Sequence, residues 1–142
     1  SVEALDTSLH GQDLKNQEYV KYDLSGKDLG AADFTGSYFS VSSLKNSDLT
    51  GANMTNVIAY ATRFDNANLT NVNLTGAELL KSIFDGATIE GADFTDAVLD
   101  RSQQQNLCKV ATGNTADSLG CSTTSAGYVP ASKGQNAFNP GT

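Results

Sequence analysis

The chain is poor in the residues that catalysis and metal binding use. Its 142 residues include no Trp, one His and two Cys. A zinc site needs more ligands than two cysteines supply, and His10 lies far along the chain from Cys108 and Cys121. A nucleophile would lack a base, and no nucleophile elbow or phosphate-binding glycine loop occurs. We therefore expect no catalytic residue, no metal site and no cofactor.

Basic charge and long apolar runs are also scarce. Nine Lys and Arg stand against 16 Asp and Glu, which gives a net charge of -7. A nucleic-acid surface needs a basic patch, and the sequence shows none, so we expect no nucleic acid as partner. No stretch approaches the roughly 20 apolar residues of a membrane-spanning helix. The sequence predicts a chain without a transmembrane segment.

What the chain has instead is an apolar residue at every fifth position, in one phase for about ninety residues. An α-helix repeats its apolar face near 3.6 residues and a β-strand at 2, so a period of five suits neither. It suits a coil whose corners recur every five residues. These residues, called the centres below, are Leu9, Leu14, Tyr19, Leu24, Leu29, Phe34, Phe39, Leu44, Leu49, Met54, Ala59, Phe64, Leu69, Leu74, Leu79, Phe84, Ile89, Phe94 and Leu99.

The positions around each centre follow the same period. From Ala32 to Ala97, the residue two places before the centre is always small: Ala, Ser, Val or Thr. Asp or Asn often precedes the centre, Thr often follows it, and Gly or Asn often comes next. Gly and Asn tolerate the positive φ of tight turns. We expect centres and small residues to fill a narrow bore, with the polar residues facing water.

Segments such as 32–36 (Ala-Asp-Phe-Thr-Gly) and 67–71 (Ala-Asn-Leu-Thr-Asn) resemble pentapeptide repeats. The resemblance covers residues 12–101. It implies an all-β solenoid, a right-handed quadrilateral β-helix of about four to five coils with four repeats per coil. Residues 1–11 then form an N-terminal segment or cap. We expect the first coil to be distorted or to act as a cap, because four large residues occupy its small positions: Gln12, Gln17, Tyr22 and Lys27.

After Leu99 the period stops, and residues 102–121 are expected to form a short helical cap. Arg101 to Val110 contains no Gly or Pro and favours a helix, with Leu107 and Val110 facing the core. Thr112-Gly113-Asn114 marks its end, and a second short segment runs from Thr115 to Leu119.

The two cysteines lie within this cap. A disulfide between Cys108 and Cys121 would close a loop of 13 residues (121 − 108) and indicates an oxidising compartment. Two separate reduced thiols are the alternative. The strings Asn106 to Ala111 and Leu119 to Cys121 resemble the tail of the lumenal pentapeptide-repeat proteins of thylakoids. That resemblance implies a photosynthetic organism and a chloroplast or cyanobacterial thylakoid lumen.

Residues 122–142 form an extended tail that is rich in Ser, Gly and Pro and has no periodicity. Its largest apolar residues are Tyr128, Val129 and Phe138. We expect these to anchor the tail along a partner. The alternative is that the tail folds back onto its own β-helix.

With four repeats per coil, residues 20 apart share a face, and one face differs from the others. Six of its outward positions are apolar, which is more than isolated surface residues would give. The predicted partner-binding residues are these six and two in the tail: Val20, Tyr38, Ile58, Tyr60, Leu80, Val98, Tyr128 and Phe138. The alternative is that the tail or the N-terminal segment covers this face.

These observations favour a non-catalytic structural or interaction protein. The lumenal resemblance implies a monomeric, peripheral subunit within a hetero-complex, bound to the lumenal side of a photosynthetic membrane complex such as a photosystem with its antenna. The alternative is an acidic DNA mimic that inhibits DNA gyrase, as some pentapeptide-repeat proteins do. The net charge of -7 fits that alternative, whereas the disulfide and the polar tail do not.

Overall fold

The computed structural model describes residues 8–121 of the chain. Three short strands, β1 (Glu18–Val20), β2 (Tyr38–Ser40) and β3 (Ile58–Tyr60), form a parallel sheet in the order β1-β2-β3. Two helices follow, α1 (Arg101–Cys108) and α2 (Gly113–Leu119).

Parallel pairing between residues 20 apart builds the rest of the molecule. Within residues 8–121 every strand pair and every isolated bridge has this spacing. The pairs stack in four ladders, which begin at Ser8, Asp13, Glu18 and Asp23. One turn of the coil is therefore 20 residues long and has four sides, and successive turns lie about 4.8 Å apart.

The centres and the small residues point inward and form the core. Phe34, Leu49 and Leu74 are fully buried, as are small residues such as Ala32 and Ala67. Aromatic centres of neighbouring coils stack, with ring centroids 4.8 Å apart for Tyr19–Phe39 and 4.9 Å for Phe64–Phe84. Each coil buries its apolar residues against the coils above and below it, so the core is a column.

The first coil begins earlier and is more regular than the sequence predicts. The amides of Leu9 and Gly11 donate to the carbonyls of Asp28 and Gly30, both at 2.8 Å, so residues 8–11 belong to the coil rather than to a separate cap. The ladders continue through residues 12–27 without distortion. The large residues at the small positions fit because the side chains of Gln12, Gln17 and Tyr22 are exposed at the end of the stack, and Lys27 is half-buried there.

Side-chain hydrogen bonds explain why Asp or Asn precedes many centres and Thr follows them. The Asp33 Oδ1 atom accepts from the Thr35 amide at 3.0 Å and from the Thr35 hydroxyl at 2.6 Å. These bonds close a turn across the centre and hold the pKa of the Asp33 carboxyl below its ordinary value. The same pair of bonds recurs in Asp48–Thr50, Asn53–Thr55, Asn68–Thr70 and Asp93–Thr95.

Helix α1 closes the C-terminal end of the column. Asp100 caps its N-terminus in a capping box with Gln103, and Leu107 packs into the core with 4% of its surface exposed. The Gln103 side-chain amide donates to the carbonyls of Leu79 at 2.6 Å and Ser82 at 2.8 Å. It therefore supplies hydrogen bonds that another coil would have provided.

Helix α2 also provides side-chain hydrogen bonds to backbone groups of the last coil, on the adjoining side. The Phe94 amide donates to the Ser118 hydroxyl at 2.9 Å, and the Thr115 hydroxyl donates to the Ile89 carbonyl at 3.3 Å. Leu119 is fully buried. The cap thus satisfies the exposed backbone groups of the last coil with side chains instead of strands.

The cap differs from the prediction in its boundaries. Helix α1 ends at Cys108 instead of Val110, and Gly113 and Asn114 begin α2 instead of separating the two segments. Val110 was expected to face the core but is 62% exposed. The reason is that the chain turns back after Leu107, whose carbonyl accepts from the Val110 amide at 3.1 Å, and this turn leaves Val110 outside.

A disulfide joins the two helices. Cys108 at the end of α1 is bonded to Cys121 just after α2, with a Cα–Cα distance of 5.6 Å. The two cysteines are therefore not separate thiols. The tail, with its predicted contact residues Tyr128 and Phe138, lies outside the described residues.

Candidate partner-binding face

One side of the coil, called the apolar face below, consists of residues 18–20, 38–40, 58–60, 78–80 and 98–100. It contains all three strands. All six partner-binding residues that were predicted within the coil lie on it. Three are exposed (Val20 at 50%, Ile58 at 39% and Tyr60 at 48%), and three are half-buried (Tyr38, Leu80 and Val98).

The apolar face is flat because its residues favour extended backbone. It has no Asp or Asn before the centre paired with a Thr after it, and in the first three coils residues 18–20, 38–40 and 58–60 are extended strands. In the fourth coil a turn forms, with the Ser82 amide donating to the Leu79 carbonyl at 3.1 Å. β-Branched and aromatic residues occupy these positions and fit a pleated surface. Tyr38 pairs with Ile58 and Ser40 with Tyr60. Because paired strands lie about 4.8 Å apart, these side chains form one contiguous surface.

The corner that follows the apolar face carries residues that are unusual for its backbone conformation. Lys21, Val41, Ala61 and Lys81 all have positive φ, between 51° and 67°. At the other three corners of the described coils, the equivalent position is Gly, Asn or Asp, with the single exception of Ala31. Val41 is the extreme case, since a β-branched residue at φ 52° is strained and its side chain is 54% exposed.

Buried hydroxyl groups hold this corner in place. The Ser42 hydroxyl donates to the Tyr19 carbonyl at 2.8 Å and accepts from the Tyr22 amide at 2.9 Å. Two coils on, the Ser82 hydroxyl donates to the Ala59 carbonyl at 2.6 Å and accepts from the Thr62 amide at 3.0 Å. These bonds tie consecutive coils together and allow the strained positions to persist.

The sequence interpretation missed Val41 as a member of this surface. Gly or Asn often stands at the second position after a centre, but four consecutive coils depart from that pattern at one corner. That departure is the signal that could have found it. Tyr22 and Val110 were also missed as exposed apolar residues, at 51% and 62% exposure.

Charge is confined to the two ends of the apolar face. Glu18 and Lys21 lie in the first coil, and Glu78, Lys81 and Arg101 lie at the other end. The middle coils carry no charge on this side, and their apolar residues are Tyr38, Val41, Ile58 and Tyr60. An apolar centre between polar margins is the usual arrangement of a protein–protein interface.

The other sides of the coil are polar and carry ion pairs. The Lys15 ammonium lies 3.0 Å from the Asp13 carboxylate and 3.7 Å from Asp33. Arg63 binds Asp65 at 2.8 Å, and its hydrogen bonds hold the pKa of that carboxyl below its ordinary value. These exposed pairs contribute little stability. They contrast with the apolar face, where the middle coils have no charged side chain.

Residues 8–121 offer neither a metal-binding cluster nor a membrane-spanning helix. No group of three or more His, Cys, Asp and Glu side chains is placed to hold a metal ion there. Neither helix in this part of the chain is long and apolar enough to cross a membrane.

The sequence of the coil matches a known family. The profile of pentapeptide repeats, in eight copies, matches residues 23–58 and 62–101, which is more than half of the chain. The chain therefore belongs to the pentapeptide-repeat family, which confirms the resemblance seen in the sequence.

Solved structures of the same family are similar to this chain. A pentapeptide repeat protein from the thylakoid lumen of Arabidopsis thaliana is 36% identical, with 78% of this chain and 88% of that chain covered and a TM-score of 0.45. Rfr23 from the cyanobacterium Cyanothece 51142 is 17% identical, with 69% and 90% covered and a TM-score of 0.47. None of the curated proteins compared with this chain is significantly similar to it.

A third solved structure is that of a fluoroquinolone resistance protein. Trypsin-treated QnrB1, which is plasmid-mediated, is 18% identical, with 64% of this chain and 66% of that chain covered and a TM-score of 0.35. At this level of identity the similarity concerns the fold alone.

Proposed function

We propose that this chain is a non-catalytic interaction protein that binds a protein partner through its apolar face. The observation that carries the proposal is the strained, exposed Val41 beside Tyr60. Positive φ costs an ordinary residue about 1–2 kcal/mol, and Asn or Gly would remove most of that cost. Within residues 8–121 the Val41 side chain is 54% exposed, and a contact with a partner is our explanation for this strained apolar residue.

The form of the apolar face suits a flat protein surface. Its backbone is held by ladder hydrogen bonds and by Ser42 and Ser82, so binding would order little of it. Tyr38, Ile58 and Tyr60 supply the aromatic and β-branched area that interface centres use. The charged ends would set the orientation of the partner.

The location and the partner class are part of the same proposal. The Cys108–Cys121 disulfide indicates an oxidising compartment, and a 36% identical relative comes from a thylakoid lumen. We propose that this chain also works in a thylakoid lumen, as one peripheral copy on a photosynthetic membrane complex such as a photosystem with its antenna. The right-handed sense of the coil and the partner contact of Phe138 stay predictions, and the partner contact of Tyr128 is the alternative to the docking proposed in the next subsection.

A charged substitution at the centre of the apolar face tests the proposal. Ile58→Glu should weaken binding to the complexes of inside-out thylakoid vesicles, whose lumenal side is accessible, at least tenfold, because it places an unpaired carboxylate in the interface centre. Thr88→Glu is the matched control, since Thr88 is also an exposed, β-branched ladder residue but lies on a polar side. Co-sedimentation with membranes gives the binding, and urea unfolding shows that both variants fold. Equal binding by both variants would exclude the apolar face as the interface.

The acidic ladder favours a second candidate function, the DNA mimic that inhibits gyrase. Asp13 and Asp33 stack directly in one ladder. Duplex DNA carries about one negative charge per 1.7 Å, however, whereas a ladder offers at most one per about 4.8 Å. In this ladder Asn53 and Asn73 replace two of the carboxylates. A gyrase supercoiling assay distinguishes the two candidates, and we expect no inhibition by the oxidised, full-length chain.

A further inference from the structure

A groove lies between the last coil and the cap, on a different side from the apolar face. Its volume is about 670 Å³, and residues 81–87 form one wall while α1 and Val110 form the other. Phe84, Leu107 and Val110 supply its apolar surface.

Apolar side chains in the groove are more exposed to water than comparable side chains elsewhere in the described residues. Beyond the first coil, Phe84 is the one centre in the described residues that is half-buried instead of buried. Val110 is 62% exposed, the highest exposure among the large apolar side chains of residues 8–121. An apolar groove with this exposure is suited to receive another apolar segment.

The described part of the chain ends close to this groove. Residue 121, where the description ends, is disulfide-bonded to Cys108, and their Cα atoms are 5.6 Å apart. Cys108 directly follows Leu107 in α1, and Leu107 lines the groove. Six residues separate Cys121 from Tyr128, and the seven steps of extended chain between their Cα atoms span about 23 Å. The α1 residues of the groove lie well within that reach, since a helix rises about 1.5 Å per residue.

We propose that Tyr128 and Val129 of the tail dock in the groove formed by Phe84, Leu107 and Val110. They are adjacent in sequence and, with Phe138, are the largest apolar residues of the segment 122–142. Their contact would cover Phe84 and Val110, and the disulfide would hold the start of the tail at the groove. This inference favours the fold-back alternative for the tail and leaves the apolar face free for a partner.

A photo-crosslinking experiment on the oxidised, full-length chain tests this docking. Tyr128 is replaced by p-benzoylphenylalanine, the sample is irradiated, and the crosslinked peptides are identified by mass spectrometry. We expect a crosslink within one chain, to Phe84, α1 or Val110, with a yield that does not change on tenfold dilution. Val110→Asp should lower this yield at least fivefold, because the carboxylate opposes burial of the aromatic ring.

Tyr22→Asp is the matched control, since Tyr22 is a similarly exposed apolar residue, at 51%, but lies in the first coil at the other end of the column. It should leave the crosslink unchanged. Three results would overturn the docking: equal yields with and without Val110→Asp, a crosslink between two chains that disappears on dilution, or a crosslink that forms only when membranes are added. None of these depends on the Ile58→Glu binding test, so the two proposals can fail separately.

Discussion

At the scale of single residues, each position of the five-residue repeat has its own structural requirement. Two glycines at the same corner, two coils apart, illustrate this. A Cβ atom on Gly91 would overlap the Asn71 Oδ1 atom of the preceding coil, whereas a Cβ on Gly51 would meet nothing within 4 Å. Both glycines have φ near +70°. Gly91 is therefore needed for its lack of a side chain as well as for its backbone conformation.

Gly91→Ala should destabilise the protein more than Gly51→Ala does. The backbone strain is the same in both variants, but in the first the Asn71 side chain must also leave its position, at about 0.5–1 kcal/mol. Urea unfolding of the two variants measures this difference in the free energy of unfolding. In an Asn71→Ala background the difference should vanish, and a difference that persists there would point to a cause other than this contact.

Val41 is the residue where stability and function are expected to oppose each other. Val41→Asn should raise the free energy of unfolding by about 1 kcal/mol, because Asn tolerates positive φ. It should also weaken partner binding, because it removes an apolar side chain from the edge of the apolar face. Thermal unfolding and membrane co-sedimentation measure the two effects.

Ala31→Asn is the control for this opposition. Ala31 also has positive φ, at 55°, but it lies at a corner away from the apolar face. We expect the same gain in stability with unchanged binding. If Val41→Asn binds as well as the parent chain, the strained corner has no part in recognition.

At the scale of elements, the coil and the cap satisfy the backbone hydrogen-bonding groups by different means. Each coil bonds its backbone groups to the next coil, and the last coil bonds its groups to side chains of α1 and α2. Unpaired backbone groups at such an end would cost stability or recruit another chain. Gln103 is central to the cap, since it takes part in the capping box and also bonds two coil carbonyls.

Gln103→Ala should lower the free energy of unfolding by about 2–3 kcal/mol, because it breaks three hydrogen bonds, including the one that the Ser82 carbonyl accepts. The Leu79 carbonyl keeps its bond from the Ser82 amide. Gln105→Ala is the control, because Gln105 lies in the same helix and is half-buried. Urea unfolding of the oxidised protein makes the comparison. Equal losses in the two variants would mean that the cap is held by apolar packing and the disulfide alone.

At the scale of the whole molecule, aspartates on the polar sides make the free energy of unfolding depend on pH in the acid range. The pKa is held below its ordinary value of 3.8 for five aspartates, in most cases by side-chain hydrogen bonds: Asp13, Asp23, Asp28, Asp33 and Asp65. A carboxyl with a lowered pKa in the folded state stabilises it above the unfolded pKa and loses that contribution as the pH falls through the folded pKa. Stability should therefore be flat from about pH 7 to pH 5 and fall below about pH 4.

Asp33→Asn should make this fall shallower. Asn keeps the acceptor for Thr35, as Asn53 does for Thr55 in the next coil, but it does not titrate. Thermal unfolding between pH 7 and pH 2 measures the slope for the variant and the parent chain. An unchanged slope would show that Asp33 does not contribute to the acid sensitivity.

The sequence could predict much of this fold and less of the candidate site. Buried and outward positions follow from the five-residue period alone, since a coil with this period directs centres such as Phe34 and Leu69 into its interior. Helix boundaries were less predictable, because the turn after Leu107 depends on how α1 meets the last coil. The exposed state of Val110 and the groove beside Phe84 follow from that contact, which no local pattern encodes.

The sequence by itself therefore determined the repeat, the family and the six apolar residues of one side, because a strict period fixes which side chains share a face. Only the tertiary structure decided that Val41 extends this side around a strained corner, and that the first coil starts at Ser8. It also showed that Cys108 is bonded to Cys121 and that a groove lies between the last coil and the cap. The physical reason is that backbone conformation at a corner, and the fit of a cap onto a coil, depend on contacts between residues far apart in sequence.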